Sequence, residues 1–359
     1  MNKKILIICP YPYGVQAGQR LKYEPHINAI KNKGYEVTIS SFIHPNMWKV
    51  LYTKGYILKK IFYTFVGYMK RFNQIFFLNK YDIIYIFLWV TPFGGNFFEK
   101  IYKLFSKKII YDIEDNILQN DDNENKINYN LRSSKKIEYL IKNSNKIVCS
   151  SPALMKKCNL LSNKNNCYYI PPSLNLDRYT VKNNYSSDIL TIGWTGTFSS
   201  KKYLDIVMPS ILKLSKIRNF KFKIISNFDF EYDNLNVESI KWNKNNEIDE
   251  LKKIDIGIYP LMNDEWISGK SGLKAMQYMA LGIPSVSSKF GNVLNFINNN
   301  KNGILVKNNN EDWFNALLYL LDNADIRKKI GISGRKTIEK NFSFIEIQKL
   351  YLKILDISE

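Results

Sequence analysis

The sequence predicts an α/β protein with two doubly wound parallel sheets, and three observations support this. Each half of the chain opens with an unbroken apolar run, KILIICP near the start and ILTIGW from Ile189. A loop of small residues and a helix-like segment follow each run, as in a βαβ unit. Strands without polar alternation are typical of parallel sheets that are covered on both faces. The 359 residues are enough for two such cores.

The first half alternates strands with helices. After the first strand come a glycine-bearing loop at residues 13–18, a predicted helix over residues 19–33 that ends at Gly34, and the strand EVTISSF. Further apolar runs predict strands at residues 83–88, 108–113, 146–150 and 167–170. Residues 182–188 are polar and form the best linker, so the first domain is predicted to span residues 1–185.

The second half repeats the pattern, and its domain is predicted to span residues 186–342. The helix-like segment YLDIVMPSILKLSKI and the strand FKFKIIS follow the first run. Strands at residues 254–259 and 285–287 flank a polar loop and a helix over residues 273–281, which Gly282 ends. Both domains are therefore predicted to be Rossmann-like.

The chain is strongly basic, with 52 Lys+Arg against 32 Asp+Glu and a formal net charge of +20. This charge suits nucleic acid, an anionic membrane or a phosphorylated small molecule. A genome of skewed base composition would also enrich the chain in Lys, Asn, Ile and Tyr. The sequence has no nucleic-acid recognition motif, so we predict no nucleic-acid partner.

Targeting and metal-binding patterns point to a cytoplasmic protein. The start, MNKKILIICPYPYG, lacks the cleavage site of a signal peptide. The longest uncharged stretch, residues 83–98, is short for a membrane span and is interrupted by Pro92, Gly94 and Gly95. The four cysteines form no Cys-x-x-Cys pair and only two histidines are present, so we predict free thiols and no metal site.

Residues 46–81 differ from the rest of the chain, with seven basic residues, eleven aromatic residues and no acidic ones. On a helical wheel through residues 57–72, one face collects the cations Lys59, Lys60, Lys70 and Arg71. The opposite face collects Ile57, Leu58, Ile61, Phe62, Phe65, Val66, Met69 and Phe72. This pattern predicts either a helix that lies in an anionic membrane surface or a helix whose apolar face packs on the sheet.

Residues 254–286 combine a strand, a glycine loop and a helix. Gly269 and Gly272 lie in the loop, and Lys270 and Lys274 accompany them. A glycine loop that enters a helix exposes backbone N–H groups, and the helix dipole adds positive potential there. The stretch therefore predicts a cradle for a phosphate or diphosphate.

The segment KSGLKAMQYMALGIPSV resembles the signature region of glycosyltransferase family four, whose GT-B fold has two Rossmann-like domains facing a cleft. Gln277 occupies the place of the family's second Glu, which bonds the ribose, and an amide can still make that bond. The family's first Glu falls on Gly269, and Asp264 or Glu265 upstream could substitute for it. The resemblance implies that Glu265, Gly272, Leu273 and Gln277 bind the sugar-nucleotide donor.

Other segments extend the resemblance. IGWTGTFSSKKYL is similar to the family's glycine loop, which makes Gly196, Thr197, Lys201 and Lys202 donor-binding candidates, with Thr197 in place of a usual Arg. PYPYGVQAGQR resembles the N-terminal loop that approaches the same phosphates, which implies Gly18 and Arg20. IIYDIEDNI stands where many members carry a His-Asp pair, so Glu114 and Asp115 are candidates near the acceptor. Trp242 is a candidate for stacking on the base. NFSFIEIQKLYLKIL resembles the C-terminal helix that crosses back to the first domain, here residues 343–359.

The resemblance implies a retaining, metal-independent transferase of the hexosyltransferase type. It would use a nucleotide-sugar as donor and no further cofactor, and Glu114, Asp115, Lys202 and Lys270 are the catalytic candidates. The expected acceptor is a saccharide in the assembly of a bacterial surface glycan, and the basic aromatic segment at residues 46–81 favours a lipid-linked one. The protein is expected in the cytoplasm, either free or peripheral on the inner face of the cell membrane. The alternatives are an inactive sugar-nucleotide-binding protein, a GT-B epimerase or phosphorylase, and a basic nucleic-acid-binding protein.

Overall fold

The computed structural model describes residues 3–114, 134–263 and 265–356, which form two compact units. The first unit comprises Met1–Ser173, Gly269–Ser271 and Ile347–Glu359, and the second comprises Leu174–Ser268 and Gly272–Glu346. The predicted domain limits of residues 1–185, 186–342 and 343–359 remain predictions. Each unit contains one sheet with helices on its faces.

The first unit has a six-stranded parallel sheet in the order β2-β1-β3-β4-β5-β6. Its strands are β1 Lys4–Cys9, β2 Glu36–Ser41, β3 Ile83–Phe87, β4 Ile109–Ile113, β5 Lys146–Cys149 and β6 Cys167–Tyr169. All residues of β3 and β4 are buried, which explains why their sequences are continuously apolar apart from Asp112. The strands predicted for this half are therefore confirmed, with limits that shift by one or two residues.

Helices join these strands. They are α1 Ala17–Leu21, α2 Ile27–Asn32, α3 Pro45–Trp48, α4 Ile57–Ile75, α5 Phe97–Phe105, α6 Ser134–Asn143 and α7 Pro152–Ser162. The continuous helix predicted over residues 19–33 is wrong, since a 3-10 turn at Glu24–His26 separates α1 from α2. Pro25 lies in this turn and lacks a backbone N–H, so it cannot continue the α-helical hydrogen bonds of α1.

The orientation of α4 corrects the expectation of an exposed basic face. Arg71 is fully buried, and Lys60 and Lys70 donate to the backbone oxygens of Thr53 (2.7 Å) and Ser41 (2.9 Å). Arg71 is thus directed into the unit, whereas Lys59 and Lys70 on the same face stay exposed. The alternative in which the apolar face packs on the sheet is wrong, since that face is the exposed one.

The last helix of the chain, α14 at Phe344–Ile354, completes the core of the first unit. Its buried side chains pack with those of β1 and β3 in one cluster, and they are Ile347, Tyr351, Leu352 and Ile354. These contacts assign the buried side chains of α14 to the first unit.

The second unit has a six-stranded parallel sheet in the order β12-β11-β10-β7-β8-β9. Its strands are β7 Leu190–Gly196, β8 Phe220–Ser226, β9 Val237–Lys241, β10 Ile256–Tyr259, β11 Ser285–Ser288 and β12 Ile304–Val306. Its α-helices are α8 Met208–Ser215, α9 Glu247–Lys252, α10 Glu265–Ser268, α11 Leu273–Ala280, α12 Asn310–Asp322 and α13 Ala324–Asn341. A 3-10 segment at Phe198–Ile206 follows β7.

Both sheets have a point where the strand order reverses. In the first unit the chain moves outward on both sides from β1, so the reversal lies between β1 and β3. In the second unit it lies between β7 and β10. Doubly wound sheets bind ligands beyond the carboxyl ends of the strands at such a switch point. The residues that follow β7 and β10 are therefore the first place to look for a site.

Candidate functional site

Gly196 ends β7 at the switch point of the second unit. A Cβ atom there would lie 2.2 Å from the Trp194 ring and 2.7 Å from the Lys274 Nζ atom. Only glycine fits between these two groups without displacing them. The end of β7 thus provides bare backbone with a lysine beside it.

Lys274 belongs to the first turn of α11 and brings its ammonium to the carboxyl ends of β7 and β10. Its Nζ atom lies 3.2 Å from the Ser200 hydroxyl and 4.7 Å from the centroid of the Trp194 ring. The ring of Tyr259, the last residue of β10, is 5.9 Å away. The phosphate cradle predicted from the sequence included Lys274 as well as Lys270. The structure places Lys274 at the switch point itself.

The first backbone N–H groups of α11 lie at the start of the helix, in the same turn as Lys274. Gly272 precedes the helix with φ +83°, and no side chain caps it among the described residues. A Cβ atom on Gly272 would also meet the Phe296 ring at 2.9 Å. Leu273 is the first residue of the helix. The backbone N–H groups of a helix N-terminus and the helix dipole favour an anion here.

The 3-10 segment after β7 carries the remaining residues of the glycine loop. Thr197 and Ser200 form reciprocal capping hydrogen bonds that fix the start of this segment. The Lys201 Nζ atom lies 5.2 Å from the Phe228 ring centroid, and the Lys202 Nζ atom lies 5.5 Å from that of Tyr203. Both predicted lysines therefore stand at the entry from strand to helix, each against an aromatic ring.

Gln277 is buried one turn further along α11. Its amide nitrogen donates to the Tyr179 hydroxyl at 3.0 Å and to the Glu247 carboxylate at 3.1 Å. The sequence did not single out Glu247, because it lies at the start of α9 in an Asn- and Lys-rich stretch that matches no motif. Glu247 thus supplies a carboxylate beside Gln277, which stands where the family to which the sequence is similar carries a Glu.

Trp242 lies at the same edge of the sheet, further from Lys274. Gly196 pairs with Ser226, and Ser226 pairs with Lys241, so Trp242 follows a residue two strands away from Gly196. Two strand spacings correspond to roughly 10 Å. The Trp242 ring is 37% exposed, which leaves it accessible for stacking.

In the first unit, the structure brings Gly18 and Glu114 together. A Cβ atom on Gly18 would lie 2.0 Å from the Glu114 Oε2 atom, so the carboxylate packs directly on the glycine. The adjacent Gln19 is buried and exchanges two 3.0 Å hydrogen bonds with the backbone of Tyr11. Sequence patterns had no signal for Gln19, which holds the loop after β1 in place. Arg20 lies in the same short helix, α1.

Asp112, the first acidic residue of the stretch around Glu114, belongs to the core. It pairs with Lys22 and accepts a hydrogen bond from the Tyr85 hydroxyl, and all three side chains are buried. Burial raises the pKa of Asp112 above its ordinary value, although Lys22 and Tyr85 oppose this. A carboxylate enclosed in this way stabilises β4 and is closed to a ligand.

Some predicted residues have no described environment. Asp115 and Asp264 lie outside the described residues, as does the side chain of Glu265. Lys270 is described and half-buried, and it groups with the first unit through Gly269–Ser271. Within the described ranges, no group of three or more His, Cys, Asp or Glu side chains could hold a metal ion.

Comparisons with known proteins agree with this architecture. Residues 189–323 match the family model of glycosyl transferases group 1. An uncharacterized glycosyltransferase of Methanocaldococcus jannaschii is 26% identical over 228 residues, which cover 59% of this chain and 61% of that protein.

Solved structures share the whole fold at low sequence identity. Sucrose-phosphate synthase of Thermosynechococcus elongatus has a TM-score of 0.73 at 14% identity, covering 99% of this chain and 100% of that one. HepE of Anabaena, in complex with UDP-glucose, has a TM-score of 0.67 at 12% identity and covers 98% and 99%. Membership of glycosyltransferase family four in particular stays a prediction. The chain thus has the GT-B fold of glycosyltransferases, and its residues 189–323 match the family of glycosyl transferases group 1.

Proposed function

We propose that this chain is a glycosyltransferase that moves a sugar from a nucleotide-sugar donor to a saccharide acceptor. The observation that carries the proposal is the cradle at the switch point of the second unit, where Lys274, Gly196 and the N-terminus of α11 meet. This cradle lies within the residues that match glycosyl transferases group 1. The structurally similar HepE was solved with UDP-glucose, which is a donor of the proposed class.

The proposed chemistry depends on positive charge around the donor diphosphate. Negative charge grows on the diphosphate as the bond to the sugar breaks, and preorganised cations and N–H groups stabilise it. Lys274, Lys202 and the first turn of α11 would supply that stabilisation, with Lys270 as a further candidate. The proposal therefore needs no metal ion. The proposed transfer retains the anomeric configuration of the sugar, as the family resemblance implies. No side chain is proposed as a nucleophile.

Gln277 and Glu247 would act together on the ribose. The Gln277 amide holds the Glu247 carboxylate at 3.1 Å, and a carboxylate is a strong acceptor for ribose hydroxyls. Glu247 would then take over the role that a Glu at position 277 has in the family. In the first unit, Gly18, Arg20, Glu114 and Asp115 keep the roles predicted from the sequence.

The acceptor proposed is a lipid-linked saccharide in the assembly of a bacterial surface glycan. The alternative is a protein that binds a sugar-nucleotide without turning it over. Two residues favour that alternative, since Gly269 and Thr197 stand where the family carries Glu and Arg. The choice between the two is experimental.

The test is a panel of UDP-, ADP- and GDP-sugars, scored by thermal shift and by release of the nucleotide. At least one donor should raise the melting temperature of the protein and be hydrolysed slowly or transferred. Lys274→Met should lower kcat/KM for that donor by about a hundredfold, because it removes a cation from the diphosphate. Lys216→Met is the matched control, since Lys216 is exposed at the end of α8 and precedes β8 at the opposite edge of the sheet.

The outcomes separate the candidates. A thermal shift without hydrolysis or transfer would identify the inactive sugar-nucleotide-binding protein. If no nucleotide-sugar shifts the melting temperature, the donor site is refuted. Equal activity of Lys274→Met and Lys216→Met would refute the role of Lys274.

A further inference from the structure

Helix α4 turns its large apolar side chains away from the unit. Leu58 is 84% exposed, Phe65 is 62% exposed, and the other members of this side are between 43% and 68% exposed. We call this side the α4 apolar face, and it consists of Ile57, Leu58, Ile61, Phe62, Phe65, Met69 and Phe72. A helix on a globular protein normally buries its apolar stripe. Exposure of the whole stripe marks an interaction surface.

Polar contacts fix α4 in this orientation. The Arg71 guanidinium donates to Val90 O at 2.8 Å, to Ser40 Oγ at 2.8 Å and to Cys9 O at 3.1 Å. Gly67 lets the helix approach closely, since a Cβ atom there would meet the Phe42 ring at 2.8 Å. A rotation that buried the apolar face would break the hydrogen bonds that the buried Arg71 guanidinium makes, so the face is held outward.

The segment that carries this face has cations and no carboxylates. Residues 46–81 contain no Asp or Glu, and the exposed lysines of the segment are Lys49, Lys54, Lys59, Lys70 and Lys80. Lys80 lies with its Nζ atom 4.7 Å from the Phe77 ring centroid, so its stem covers an exposed aromatic ring. Tyr52 and Tyr56 are exposed just before the helix. Aromatic rings and lysine heads of this kind suit the boundary between acyl chains and headgroups.

The charge distinguishes between possible occupants of the face. A second copy of the chain docked symmetrically would set lysines against lysines, since the segment offers no carboxylate to pair with them. Anionic lipid headgroups would instead be attracted by each lysine. Among the described residues, no helix is long and apolar enough to cross a membrane. The surface of an anionic bilayer accepts both an outward apolar stripe and its cationic margin, with the helix lying in the plane of that surface.

We propose that the α4 apolar face, with Lys54, Lys59 and Lys80 at its margin, docks on a phospholipid bilayer that contains anionic lipid. The face lies in the first unit, and the proposal does not depend on the donor chemistry of the second. It deepens the prediction of a protein peripheral to the membrane by naming the side chains that enter the interface. Arg71 is excluded from that set, because it is buried.

The experiment is flotation of the full chain with vesicles of phosphatidylcholine, with and without phosphatidylglycerol, at low and high salt. The chain should float with the anionic vesicles, and less so at high salt. The variant Leu58→Gln/Phe62→Gln/Phe65→Gln should bind them about tenfold more weakly or worse, since binding scales with the apolar area buried. The matched control is Leu160→Gln/Ile217→Gln/Ile345→Gln, which removes three exposed apolar side chains elsewhere and should float like the wild type.

A second variant tests the charge. Lys54→Gln/Lys59→Gln/Lys80→Gln should lose binding to anionic vesicles while its melting temperature stays unchanged, since all three lysines are exposed. Wild-type chain that fails to float with anionic vesicles overturns the proposal, as does full flotation of the Leu58/Phe62/Phe65 variant. Sedimentation velocity tests the other possible occupant, a second copy of the chain. A wild-type dimer that the Leu58/Phe62/Phe65 variant dissociates, with no flotation of the wild type, would assign the face to a second copy.

Discussion

His26 is buried in the first unit between the last helix of the chain and the segment that precedes Leu174. Its ring stacks on Tyr351 with centroids 4.8 Å apart, and its Nε2 atom lies 3.1 Å from the Ser173 hydroxyl. Burial lowers the pKa of His26 from 6.5 to about 3. The neutral ring is therefore the form that the folded protein accepts.

This burial predicts a loss of stability in mild acid. Because the folded pKa lies below the unfolded one, the unfolded chain binds the extra proton between about pH 6.5 and pH 3, and stability falls as the pH drops through that window. From pH 7 to pH 5, the wild type should lose about 2 kcal/mol more unfolding free energy than His26→Gln. Urea denaturation at both pH values measures the difference.

The other histidine provides the control for this prediction. His44 is exposed and accepts a hydrogen bond from the Asn46 N–H at 3.1 Å. His44→Gln should keep the acid sensitivity of the wild type. All three proteins contain the same carboxylates, so the comparison isolates the histidine that is replaced. Parallel pH dependence of the wild type and His26→Gln would contradict the assignment to His26.

At the scale of an element, α4 is attached to the first unit through the side chain of Arg71. Arg71 fills its five donor positions with Cys9, Ser40, Gln74 and Val90, and it uses both the Oγ and the carbonyl oxygen of Ser40. Three of the acceptors are carbonyl oxygens that terminate β1 and β2 or follow β3. Arg71 thus links the helix to three strands at once.

Arg71→Met should lower the unfolding free energy by about 3 kcal/mol or more, because buried carbonyl groups lose their donors. The midpoint of urea denaturation measures this loss. Lys59→Met is the control on the same helix, and it should change stability by less than about 0.5 kcal/mol because Lys59 is exposed. Equal midpoints for the two variants would show that Arg71 does not hold α4.

The elements also show how far the sequence could be read. Strands such as β3 and β7 were predictable because burial on both faces requires continuous apolar sequence. The helical wheel of α4 separated its two faces correctly, yet it could not tell which face would be buried. That choice depends on acceptors at Cys9, Ser40 and Val90, which are distant in sequence. The break in the helix over residues 19–33 has a local signal in Pro25, which cannot donate a backbone hydrogen bond.

In the candidate site too, residues with a local sequence signature were predictable, and residues that meet only after folding were not. Gly196, Gly272 and the nearby lysines were readable, because glycine loops at strand ends have a local signature. Glu247 was not readable, since its relation to Gln277 exists only after α9 and α11 have packed on the sheet. Trp242 could be proposed as a stacking residue from its side-chain type alone. The strand register then shows that Trp242 follows the residue aligned with Gly196 two strands away.

At the scale of the whole molecule, the first unit depends on the last helix of the chain. Leu352 is 5% exposed in α14 and belongs to the core cluster that includes β1 and β3. Leu352→Ala should cost about 3 kcal/mol of stability, as for other buried leucines. Leu350→Ala on the same helix should cost much less, because Leu350 is 38% exposed. Thermal unfolding compares the two variants, and equal losses would contradict a role for α14 in this core.

That dependence reverses the usual order of folding during synthesis. Domains generally fold as they leave the ribosome, with the N-terminal one first. Here residues 347–355, whose buried side chains complete the core of the first unit, are synthesised only after the whole second unit. The nascent chain therefore exposes the unfinished core of β1 and β3 throughout the synthesis of the second unit, and the unit begun first is the one finished last.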